Sequence, residues 1–156
     1  MILLSRRASH QTDFVDLASF LHRAVDYDLW ANRQWLACLD NLPDPARGRD
    51  IVFHMADAHI CWLTRVGAEA PIAEEPDLDE TLAHYAALWQ AALAQHPVDH
   101  VFHWTDNGDA YQLSLADIVF HIVNHGTYHR GHLRGLADAG GVDAFNDTDY
   151  DWFASP

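Results

Sequence analysis

HIVNHGTYHRGH, residues 121–132, places four histidines within twelve positions. Read as a helix turning about 100° per residue, it sets His125 about 40°, His129 about 80° and His132 about 20° from His121. All four rings therefore share one narrow face. Rings four residues apart reach a common ion, so His121–His125 and His125–His129 both qualify as chelating pairs. His132 lies roughly 16 Å along the axis from His121, too far for one ion to use both. The flanks fit a long helix. Ser114 caps its start with Asp117 three residues on, and Gly140-Gly141 end it near Ala139. Arg130 falls about 180° from His121 and is expected to point away from an ion, toward a surface salt bridge or a subunit interface. Asn124 and Tyr128 are read as capping and packing residues.

A third ligand must come from another helix. HMADAH, residues 54–59, offers His54 and His59, which lie about 140° apart and cannot both face one ion. His59 points into the apolar sector with Met55, Leu63 and Val66. His54 sits at the rim of that sector, as the later histidines do on theirs, which favours His54 modestly. The residues between His125 and His129 are Gly126, Thr127 and Tyr128, so the metalloprotease pattern with its glutamate base is absent. Among the other histidines, His22, His84, His96, His100 and His103 are read as hydrogen-bonded core residues.

The remaining chain reads as three more helices. Apolar positions recur at helical spacing from Phe14 to Leu39, predicting a first helix over 13–42, capped by Thr12 and stopped by Pro43 and Pro45. A second is expected over 49–66 and a third over 77–95. Between 99 and 112 the pattern changes, and Asn107-Gly108 signals a hairpin turn or an extended loop. The tail carries Phe145, Tyr150, Trp152 and Phe153, expected to pack back onto the helices. The expected fold is all-α: an up-and-down-type four-helix bundle, with a small hairpin or extended loop before the last long helix. One domain is expected over 1–156.

Composition narrows the function. The 156-residue chain is 49% hydrophobic, enough for a core without disulfide staples. Cys38 and Cys61 are read as small buried hydrophobes. With a net charge of -14 and no lysine among its nine cationic residues, the chain lacks the basic patch a nucleic-acid or anionic-membrane binder needs. Schiff-base chemistry on a lysine is excluded. No apolar run reaches the roughly 20 residues that span a bilayer. The first residues run apolar and then basic, the wrong order for a secretory signal, so a cytoplasmic protein is expected.

Three segments together resemble the DinB/YfiT-like family, which is distinct from the DNA polymerase of similar name. YDLWANRQWL (27–36) is similar to its first-helix signature. HMADAHICWLTR (54–65) is similar to its second-helix motif, a histidine eight residues before a tryptophan. HIVNHGTYHRGHLR (121–134) is similar to its fourth-helix motif. The resemblance implies a dimeric four-helix bundle with a three-histidine site for zinc or nickel, and matched position by position it implies His54, His125 and His129 as ligands. His121 then lies one turn from the ion, and His132 stands where the family often has glutamine.

Three imidazoles leave coordination positions open, as reactive sites do. The first functional reading is a metal-dependent enzyme, preferably an S-transferase using a low-molecular-weight thiol as cosubstrate, because a coordinated thiol loses its proton. Hydrolysis by metal-bound hydroxide is the alternative chemistry. A non-enzymatic metal-binding stress-response protein is the alternative class. No motif assigns a general base; His121, His59 and Asp57 are the candidates. A homodimer is expected, with Trp30, Trp35, Trp62 and Trp89 as candidate interface or core residues.

Overall fold

The carboxylate of Asp16 accepts a 3.0 Å hydrogen bond from the backbone N–H of Ser19, satisfying a donor that the first turn of a helix leaves free. Helix α1 (Leu17–Leu36) follows from it. The computed structural model describes residues 16–70, 77–143 and 145–155, so the expected cap Thr12 lies outside the described residues. α1 also ends six residues short of the expected Leu42. Leu39 and Leu42, both 4% exposed, enter the core through a 3-10 turn over Leu39–Asn41. Their spacing of three suits that tighter winding.

Helix α2 (Pro45–Arg65) begins four residues before the expected start. Asp44 accepts from the N–H of Arg47, and Pro45 occupies a first-turn position where its missing N–H costs nothing. Asp77 caps α3 (Leu78–Gln95) in the same way through the N–H of Glu80. Strands β1 (Val101–Asp106) and β2 (Asp109–Ser114) form the expected hairpin. Asn107 at φ 50° and Gly108 at φ 91° make its turn, in the left-handed region that a two-residue connection requires. Helix α4 (Leu115–Ala139) starts from the expected box: Asp117 donates its N–H to the Ser114 hydroxyl, and its carboxylate accepts from the Ser114 N–H.

The architecture is helical, as expected. α1 packs against α3 and α4, and α2 against the same two helices, so the four long helices surround one contiguous apolar core. Leu63, Leu115, Ile118, Leu133 and Ala137 are 0% exposed within it. Each large aliphatic side chain buried there contributes roughly 1.5–3 kcal/mol. Among the described residues no helix is long and apolar enough to cross a membrane.

The tail returns to α1, partly as expected. Phe145 stacks on Trp35 at 4.9 Å, and Tyr150 and Phe153 of the short helix α5 (Tyr150–Ala154) pack edge-on against Tyr27. The Tyr27 hydroxyl donates to the Thr148 carbonyl. Trp152 does not join them; it is 65% exposed, because a five-residue helix turns only one side to α1.

Other expectations are corrected. Cys38 is buried but Cys61 is exposed: it lies about 200° around α2 from both His59 and Leu63, which face the core. His84, His100 and His103 are exposed rather than core residues, placed on the outer side of α3 and around the hairpin. His22 is half-buried and pairs with Gln90, and His96 stacks on His100.

Candidate metal centre

α2 and α4 lie side by side, and their facing sides carry the histidines. One ring nitrogen from each of His54, His125 and His129 lies within 4.8 Å of the others. Ring centroids stand 5.3 Å apart for His54–His125, 4.6 Å for His54–His129 and 4.4 Å for His125–His129. The last pair meets because residues four apart sit one above the other on a helix. His54 is exposed while His125 and His129 are half-buried, so the cluster opens to solvent on the α2 side.

The electrostatics suit a ligand set. Burial, and then the neighbouring His129 and His54, lower the pKa of His125 from 6.5 to about 4. Burial and His54 lower that of His129. Both rings are therefore neutral near pH 7, the form that offers a lone pair to a metal. Nε2 of His125 is buried and has no hydrogen-bond partner. Buried polar atoms left unpaired are rare and costly, and a bound cation would satisfy this one. Trp35 Nε1 is also buried without a partner, but an indole N–H offers no lone pair.

The three candidates for a general base part company. His121 stacks on His125 at 5.8 Å and meets Trp62 at 4.8 Å; burial, and then Arg65, lower its pKa. His59 turns into the core, where its Nδ1 accepts a 3.0 Å hydrogen bond from Trp89. That bond leaves the proton of the neutral ring on Nε2, which stands 3.4 Å from Asp28 Oδ2. Asp57 is exposed on α2, where its charge, after burial, raises the pKa of Tyr85. His132 contacts His129 at 5.2 Å and Tyr128 at 4.4 Å, beside the cluster but outside it. Asn124 and Tyr128 are exposed.

Arg130 departs most from expectation. It points away from the cluster but is buried, 3% exposed, rather than at the surface. Its Nη1 donates to Asp28 Oδ1 at 2.7 Å and to Asn32 Oδ1 at 2.6 Å, and its Nη2 to Thr127 Oγ1 at 2.9 Å. Burial raises the Asp28 pKa, but hydrogen bonding from His59 and the charge of Arg130 outweigh it, and the carboxylate falls below its usual range. The sequence reading missed this pair. Its one signal was an aspartate and an asparagine four apart, Asp28 and Asn32, on an apolar helix.

Compared with known proteins, the chain matches the model of the DinB family over residues 18–156. No curated protein matches, and no solved structure does.

Proposed function

The chain belongs to the DinB family, and we propose that His54, His125 and His129 bind one divalent metal ion, zinc or nickel, in an S-transferase that takes a low-molecular-weight thiol as cosubstrate. The observation that carries the metal reading is the buried, unpartnered Nε2 of His125 inside a cluster whose nitrogens converge within 4.8 Å. A bound divalent ion would supply Lewis acidity and hold a coordinated thiol as its thiolate.

The chain's own residues supply the rest. His125 and His129 are kept neutral by burial and by the neighbouring histidines, among them His54, so proton competition for these rings is weak near pH 7. The exposed edge at His54 gives small molecules access, which a sealed structural site would not. His121 is the candidate base best placed to accept a proton, since Trp89 and Asp28 occupy His59. The thiol chemistry is supported by the family resemblance. A homodimer is part of the same proposal.

Elemental analysis of untagged protein tests the metal. Near-stoichiometric metal in the wild type, lost in His54→Ala, His125→Ala and His129→Ala, supports the site. Metal retained in all three variants overturns it. Thiol consumption with an electrophilic probe, scanned over glutathione, mycothiol and bacillithiol, then tests the chemistry: no metal-dependent rate with any thiol removes the transferase reading and leaves metal binding standing.

A further inference from the structure

The hairpin and the last turns of α2 border a cleft of about 380 Å³. Its walls are aromatic. Trp104 and Tyr111 are cross-strand partners in the β1–β2 register, and their rings stack at 5.9 Å. Trp104 meets Trp62 of α2 edge-on at 5.5 Å. Trp62 in turn touches His121, and His121 stacks on His125. A continuous path of ring contacts therefore joins the cleft to the cluster.

One cation sits in this aromatic setting. The Arg65 guanidinium lies 4.4 Å from the Trp62 ring centre and 5.0 Å from that of Trp104. Among the described residues, four other arginines hold a carboxylate at 2.5–2.8 Å, whereas Arg65 stands 3.9 Å from Asp106. Asp106 is 55% exposed, and so loose a pair at the surface contributes little. The planar fork of Arg65 thus remains open to an incoming carboxylate. Tyr111, at 47% exposed, leaves a flat apolar face at the cleft mouth on which a conjugated ring can stack.

We infer that this cleft is a substrate subsite for a planar aromatic or conjugated carboxylic acid, its ring against Trp104 and Tyr111 and its carboxylate on Arg65. The inference rests on the metal-enzyme reading for its purpose, since Trp62 of the cleft wall touches His121, which stacks on His125 of the histidine cluster. Binding to the cleft itself needs no metal.

Isothermal titration with 1-naphthoate tests it, using 1-naphthalenemethanol and cyclohexanecarboxylate as controls, on wild type, Trp104→Ala, Tyr111→Ala, Arg65→Gln and His125→Ala. Circular dichroism checks that each variant is folded. The expected result is saturable 1:1 binding of naphthoate, at least tenfold weaker in Trp104→Ala and Tyr111→Ala. Arg65→Gln should remove the preference for naphthoate over the alcohol. His125→Ala should keep naphthoate affinity within about twofold while losing metal, which separates failure of the metal reading from failure of this one. No saturable binding, binding indifferent to the Trp104, Tyr111 and Arg65 changes, or a cleft closed by a second copy of the chain would each overturn the inference.

Discussion

Arg130 and Asp28 meet at 2.7 Å between α4 and α1, with side chains only 3% and 4% exposed. Arg130 directly follows His129, so the bond that anchors the back of α4 to α1 also sets which way its front faces. Breaking such a pair leaves a charge buried without compensation, which costs about 3–5 kcal/mol. Arg130→Met is therefore expected to lower the unfolding free energy by about that much in urea titrations. The double variant Asp28→Leu with Arg130→Met should recover a large part of the loss. Equal loss in the single and double variants would show that the charge is not the cause.

Gly126 lies one turn before Arg130. A Cβ there would stand 2.4 Å from Asp28 Oδ1 and 2.8 Å from Arg130 Nη1. Helix propensity alone predicts a gain of about 1 kcal/mol for Gly126→Ala. The locked carboxylate has no room to yield, and overpacking costs about 1–3 kcal/mol. The expected net result is a lower denaturation midpoint. A raised midpoint would mean that the Asp28–Arg130 pair is looser than its geometry.

His59 and His54 sit five residues apart and should respond differently. His59→Ala strands the Trp89 N–H and removes a partner of Asp28, so a loss of about 1–3 kcal/mol is expected, with bound metal unchanged. His54→Ala should cost little stability in metal-free protein and abolish metal uptake. Parallel urea titrations and elemental analysis check both, and metal lost from a folded His59→Ala protein would contradict the assignment.

Acid should weaken the metal-free chain in a defined window. The pKa of His125 is about 4 when folded against 6.5 for the free group. Between these values the unfolded chain binds more protons, so stability rises with pH there. Stability is therefore lost as pH falls from 6.5 toward 4, and His129 adds in the same direction. Asp28, whose folded pKa is lowered from 3.8, extends the loss to still lower pH. Thermal melts of chelator-treated protein should show a falling Tm over this range, less steep in His125→Gln. Equal slopes would place the acid sensitivity elsewhere.

Metal should stabilise the fold by mass action. Zinc or nickel at about 100 times its Kd is expected to add about 2.7 kcal/mol, seen as a higher Tm in wild type and no shift in His54→Ala. An equal shift in both would place the ion at another site.

The helices and the hairpin were legible because they are written in local chemistry. Ser114 with Asp117 caps a helix wherever the pair occurs before an apolar run, and Asn107-Gly108 accepts a left-handed turn that few other residues do. The spacing of four brings the rings of His125 and His129 together for the same reason, as it does those of His121 and His125. Boundaries were less legible where burial competed with propensity, as where Leu39 and Leu42 end α1 early.

Periodicity states the angle at which a side chain leaves its helix, not which helix it will meet. It left His54 and His59 about 140° apart, with only a modest preference between them. The packing of α2 against both α4 and α3 sets His54 beside His125 and His129 and gives His59 to Trp89 and Asp28. The same limit hid the fate of Arg130. Its direction away from the cluster followed from the sequence, but its burial depended on α1 presenting Asp28 and Asn32 from about a hundred residues earlier in the chain. The sequence by itself determined the helices, the turn and the shared face of the α4 histidines; only the tertiary structure, by bringing distant segments into contact, decided which histidine of α2 joins them and the partner of the arginine.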